Sequence, residues 1–417
     1  MAASVSSMKL LAFCHILTSF QSVYGVGVNY GTVGNNLPPP KRVAQLLQAT
    51  LIDKVKIYDT NPEILEAFSN TGIDIIVAVE NQQVSNLSSS EAAADEWLAA
   101  RVLPFIPSTS IVAIVVGNEY LTASWNNKDP KPVDLVKAMR NLHSVLKTRG
   151  HDRKIKVTTP HSMAVLAASF PPSASTFAEP LVSTMTDIVR FLADTGAPFM
   201  INAYPYFAYR DNPGKIDLDY VLLGNLTSVR DPSGLIYHNM LDAQIDAVRS
   251  AIGSLGFPNG TVAITVSESG WPSKGEKGET AASPQNAETY NSRLVERAKS
   301  GKATPMNEKA DIFVFSLFNE NKKKGTESER NFGLFTSEGS KAYDVNLSCQ
   351  FCNGDVAESG FGEKMGVGSV RGPSVWCVAK PHSDDKILQT VLDFCCGGGG
   401  VDSGPVLTLG GPWAVIK

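Results

Sequence analysis

Three glutamates stand where long apolar runs give out. Glu119 follows the buried-type run in IVAIVVGNEY (111–120), Glu268 lies in VAITVSESGWP (262–272), and Glu320 ends DIFVFSLFNE (311–320). Tyr58, Asp59, Glu80, Asn118, Asn202, Tyr204, Phe207, Trp271 and Asn319 occupy the same kind of position. For any one of them, polarity at a solvated strand end is explanation enough; for the whole set it is not. Carboxylates beside aromatic rings and amides are the equipment for cleaving a glycosidic bond. One acid protonates the leaving oxygen, and a second attacks or activates water. Tyr and Trp faces pack on sugar rings, while Asn and Glu bind hydroxyls. Other chemistries lack their parts. The six histidines include no zinc-type pair, there is no G-x-S-x-G, and no cysteine lies between 15 and 348 to act as nucleophile. Neither a metal nor a cofactor is expected.

These residues need a frame that gathers distant segments. Eight apolar runs read as strands: 26–31, 54–59, 73–80, 111–119, 155–161, 198–207, 262–272 and 311–320. Helix-period segments lie between them. In 133–149, Leu135, Val136, Met139, Leu142, Val145 and Leu146 share one face. The segments 61–68 and 88–103 open with capping-type residues. Strand and helix alternating eight times predict a (β/α)8 TIM barrel, whose C-terminal strand ends ring one mouth. An open doubly wound sheet is the competitor, since alternation alone does not show closure. The first run lacks the G-x-G-x-x-G spacing of a dinucleotide site.

The 417 residues are 43% hydrophobic and 19% charged, an ordinary globular composition with a net charge of −4. With pI near 5.9 there is no basic surplus for nucleic acid, and a neutral ligand is the easier expectation. Residues 1–25 read as a secretory signal: Lys9, then the short apolar LLAFCHILTSF, then Val23 and Gly25 before a cut. Sequons at Asn86, Asn225, Asn259 and Asn346 agree with an extracellular destination. Five of the six cysteines crowd into 349–396, as in a small stapled unit.

Several of these stretches resemble the signatures of plant glycoside hydrolase family 17. They are VKIYD (55–59), VVGNE (115–119), INAYPYF (201–207), VSESGWPS (266–273), FSLFNENKKKG (315–325) and ERNFGLF (329–335), in the family's order across residues 26–345. The resemblance implies a (β/α)8 barrel acting as a retaining endo-hydrolase of 1,3-β-glucan, callose and related wall glucans. It implies Glu119 as acid/base and Glu268 as nucleophile. Glu320 and Lys323 are expected beside the pair, Tyr58 at the cleavage point, and Asn118, Tyr204, Phe207 and Trp271 along the sugar groove. A retaining pair stands ~5–5.5 Å apart, against ~6.5–9.5 Å for an inverting one. The acid needs a pKa held up by its neighbour, and Lys323 is expected to keep Glu320 ionised.

Residues 346–375, rich in Gly and Ser, read as a linker. Residues 376–417, opening with WCVAKP, resemble the start of a carbohydrate-binding module for β-1,3-glucan. Ser403 and Trp413 stand where the module's cysteines are expected, and the segment runs about half its usual length, so little binding is expected of it. No lipid-anchor pattern follows. The expectation is therefore a secreted, wall-located monomer whose partner is β-1,3-glucan, with neither nucleic acid nor metal. Two other functions remain open: a wall protein that binds glucan without cleaving it, and a transglycosylase working through the same covalent intermediate.

Overall fold

The computed structural model describes residues 25–122 and 131–348. The signal segment before Gly25, the linker beyond 348, the tail 376–417 and all six cysteines lie outside the described residues. The parallel strands are β1 (Val26–Tyr30), β2 (Ile52–Ile57), β3 (Asp74–Val79), β4 (Ser110–Val116), β5, β6 (Phe199–Asn202), β7 (Ile264–Ser269) and β8 (Ala310–Val314). β5 comes in two pieces, Lys156–Thr158 and Pro160–Ser162. Pro160 has no N–H for the ladder, and the strand breaks there. The first piece pairs with β4, Lys156 opposite Ala113, and the second with β6, Pro160 opposite Met200. β1 lies between β2 and β8. Every strand therefore has a neighbour on each side, so the sheet closes on itself. The chain folds as a (β/α)8 barrel, and the open-sheet alternative, which needs two free edges, falls away.

The helices form where the sequence supplies starts and one apolar face. They are α1 (Pro40–Gln48), α2 (Pro62–Ala67), α3 (Val84–Ser89), α4 (Glu91–Arg101), α5 (Pro132–Thr148), α6 (Val182–Thr195), α7 (Pro205–Asp211), α8 (Leu218–Val221), α9 (Met240–Ser254) and α10 (Pro284–Ser300). Asn61 caps α2 by accepting from the amides of Glu63 and Ile64. The helix expected over 88–103 divides at Ser90, whose extended backbone and hydroxyl cap α4. The whole predicted apolar face of α5, from Leu135 to Leu146, is buried.

The strands bury both faces. Outward-facing Val28, Ile57, Val77, Ile114 and Ile201 pack under the helices, each stabilising the fold by roughly 1.5–3 kcal/mol. Inward-facing Ile76, Ala78, Ala113, Val115, Met200 and Phe313 plug the barrel. Gly27 makes space for that plug: a Cβ there would stand 2.4 Å from the Phe313 ring. The strand expected over 198–207 stops at Asn202, because Pro205 opens α7 and carries Phe207 onto a helix. No helix among the described residues is long and apolar enough to cross a membrane.

Candidate active site

The position of Glu268 depends on an irregularity in β7. Val266 lies opposite Ile201, yet Glu268, two residues on, lies opposite Asn202, only one residue on. The same extra residue appears against β8. Such a bulge breaks the alternation of side chains and re-aims them. Ser267 and Glu268 consequently reach the same atom, Lys56 Nζ, which donates to Ser267 Oγ at 2.7 Å and Glu268 Oε1 at 2.9 Å. Glu268 Oε1 also accepts from the Tyr58 hydroxyl at 2.8 Å, and Oε2 from the Tyr204 hydroxyl at 2.8 Å. Lys56 is 1% exposed and Glu268 6%.

Burial alone would push the Glu268 carboxyl up. The Lys56 ammonium and the two phenols outweigh it and hold the group below the ordinary glutamate value. Burial lowers the Lys56 pKa, against the opposing pull of Glu268's charge. Both phenols are raised well above their usual value, by burial first and then by Glu268. They remain protonated donors.

Glu119 is held differently. It lies three residues past the end of β4, in a turn where Gly117 has φ +69° and Glu119 itself φ +51°. A left-handed residue other than Gly costs roughly 1–2 kcal/mol. The turn is fastened all the same. Gly117 N–H donates to Val79 O (2.9 Å), Asn118 N–H to Asn81 Oδ1 (2.7 Å) and Glu119 N–H to Pro160 O (2.9 Å). Asn81 Nδ2 donates in return to Asn118 O at 2.9 Å. Asn202 Nδ2 then donates to Glu119 Oε1 at 2.8 Å. Because Asn202 is the register partner of Glu268, this bond brings the two carboxyl groups into neighbouring sites. The Glu119 pKa is raised, by burial first and then by the Glu268 charge. The Asn202 bond and Lys56 only partly offset this.

The other expected residues divide. Glu320 is buried beneath Gly31, where a Cβ would lie 2.4 Å from Oε1, and it accepts from Val33 N–H at 2.8 Å. Lys323 Nζ stands 4.0 Å from Glu320 and 3.8 Å from Glu329. Burial raises the Glu320 pKa, and Lys323, expected to keep the group ionised, pulls it back down in part. Half-buried Tyr204 and Phe207 have ring centroids 5.2 Å apart, Tyr204 lies 5.8 Å from Phe315 and from Phe332, and Arg210 sits 4.8 Å over Phe207. Asn118 is half-buried beside Glu119. Trp271 is the clear departure. It is fully buried, its indole N–H donating to Ala281 O at 2.8 Å and its ring packed on Tyr206 and Tyr290. With no exposed surface, this ring has no face for a sugar.

Asn202, one of the strand-end residues read from the sequence, joins the site through Glu119, and Lys56, Asn29 and Asn81 complete it without having been singled out from sequence. Lys56 had a signal: it lies two residues before Tyr58 on β2, so the period of two puts both on one face. Asn29 and Asn81 had none, since each acts through neighbours far away in the chain.

Two carboxyl groups at a barrel mouth, their pKa values displaced in opposite directions, are the arrangement of a glycoside hydrolase. The model for glycosyl hydrolases family 17 matches residues 26–347, and the chain belongs to that family. It is 38% identical to glucan endo-1,3-beta-glucosidase 12 of Arabidopsis thaliana, over 96% of this chain and 77% of that protein. It is 37% identical to a glucan endo-1,3-beta-D-glucosidase of Olea europaea, over 97% and 87% respectively. Among solved structures it resembles a beta-1,3-glucanase and allergen of Cryptomeria japonica pollen. That match has TM-score 0.73 and 41% identity, covering 78% of this chain and 99% of the other.

Proposed function

We propose that this protein hydrolyses internal bonds of 1,3-β-glucan by double displacement with retention, Glu268 attacking and Glu119 serving as acid and then base. The observation that carries this reading is the opposed displacement of the two carboxyl groups. Lys56, Tyr58 and Tyr204 favour a charged Glu268, while burial and that charge favour a protonated Glu119. In the first step a Glu268 oxygen bonds to C1 as the glycosidic bond breaks. The bonding pair leaves with the departing oxygen, which takes the proton of Glu119. In the second step water attacks C1, gives its proton to Glu119, and returns the electron pair to Glu268.

The substrate is inferred from the names of relatives that match over most of both chains. Half-buried Tyr204 and Phe207 supply apolar surface for sugar faces, and Asn118 supplies an amide for hydroxyls. The signal-like start and the sequons support action outside the cell, in the wall. The test is product analysis on a β-1,3-glucan, with the first-formed anomer followed by NMR. Short β-anomeric products support the reading. First-formed α-anomers would overturn retention, and longer products would mean that another glucan, not water, takes the sugar.

A further inference from the structure

Asn29 is wholly buried, and its amide is used at both ends. Nδ2 donates to Ser267 O at 3.1 Å and Val314 O at 3.3 Å, tying β1 to the bulged β7 and to β8. Two carbonyls facing the NH2 leave the amide one orientation, with Oδ1 towards Tyr58. The Tyr58 hydroxyl lies 3.1 Å from that oxygen and 2.8 Å from Glu268 Oε1. A phenol has one hydrogen, so only one of these acceptors receives it at a time. The Tyr204 hydroxyl, on the other oxygen of Glu268, has no such second acceptor among the described residues.

We propose that Asn29 is a positioning residue whose carbonyl receives the Tyr58 hydrogen whenever Glu268 loses its charge, favouring the covalent intermediate over the free enzyme. The inference rests on Glu268 being the nucleophile. While Glu268 is ionised it is the stronger acceptor and draws the hydrogen to Oε1. Once it is bonded to C1 it is an ester: its negative charge has passed with the bonding pair to the departing oxygen and, on protonation of that oxygen, to the Glu119 carboxylate, and the ester oxygen accepts weakly. The hydrogen turns to Asn29 Oδ1, 3.1 Å away, and keeps a full partner. When water breaks the ester, the electron pair returns to Glu268 and the hydrogen turns back. No proton is transferred by Tyr58; one hydroxyl rotates.

A dinitrophenyl β-laminaribioside separates the two steps in the full-length chain. Its leaving group needs no proton, so the dinitrophenolate burst reports formation of the ester and the steady rate reports its hydrolysis. With Asn29→Ala the burst rate should fall about fivefold, the size of one neutral hydrogen bond, while the steady rate holds or rises. With Tyr58→Phe, which leaves the three-strand tie intact, the ratio should move the other way, the steady rate falling more than the burst. Should Asn29→Ala not fold, Asn29→Ser, which also withdraws the carbonyl from Tyr58 but leaves a polar group in the buried space, is read in the same way. Parallel loss of both rates in either variant would show a merely structural role and overturn the proposal. The 2-deoxy-2-fluoro analogue, which traps the ester, checks the underlying assignment by peptide mass. A sugar on any residue other than Glu268 would remove the reading and this inference together.

Discussion

Glu268 and Glu119 share a mouth but are supported in opposite ways. Glu268 is part of a strand, and three donors, from β2, the residue just past it and the turn after β6, converge on it. Glu119 lies beyond a strand, in a left-handed turn, with one side-chain donor among the described residues. Both lose water by burial. The difference in protein donors separates the two, the Glu268 pKa lowered and the Glu119 pKa raised. A buried carboxylate needs its hydration replaced by hydrogen bonds and an opposite charge, and only one of the two receives that replacement.

The largest effects should come from removing either group. Glu268→Ala is expected to abolish turnover. Glu119→Gln should slow polymer cleavage by about 10²–10⁴-fold, the usual worth of general acid assistance, yet spare aryl glucosides with good leaving groups. Near-normal polymer activity in either variant would break the contrast. Next comes Lys56→Met, which strands a buried carboxylate and should cost about 3–5 kcal/mol of stability. The sign of its pH dependence is distinctive. In the native protein the depressed Glu268 pKa contributes stability above the ordinary glutamate value that is lost as pH falls through the folded value. Without Lys56, burial dominates, the pKa rises, and acidification should stabilise the variant. Thermal midpoints across pH 3 to 7 read this directly.

Asn202→Ala should act more gently. Its bond to Glu119 lowers that group's pKa, so its loss should carry the alkaline limb of the pH–rate profile upward by about one unit at most. An unmoved limb would mean that Asn202 does not govern the acid. The smallest pair separates groove from core. Phe207→Ala should raise KM several-fold with kcat little changed. Trp271→Phe should lower the thermal midpoint by a few degrees and leave KM alone, as expected for a ring packed behind the site. A raised KM in Trp271→Phe would return that ring to the groove.

The strand-helix order is decided by local periodicity. Runs such as 111–116 are buried on both faces whatever follows them, and the face of α5 is written in its spacing. The carboxylates past the strand ends were visible for the same reason. Strand lengths were less legible, because Pro160 and Pro205 break pairing in ways that an apolar count does not register. Trp271 was misplaced because a motif match records residue identity and not burial, and this ring packs behind the site on Tyr206 and Tyr290.

What only the closed barrel decides is which group meets which. Lys56 and Glu268 are 212 residues apart, and Asn29 and Ser267 are 238 apart. No local pattern records that they touch. Residue types and spacing bring two acids to one rim. The charge state of each depends on distances of a few ångströms between strands remote in the chain, because burial and hydrogen bonding act at contact range.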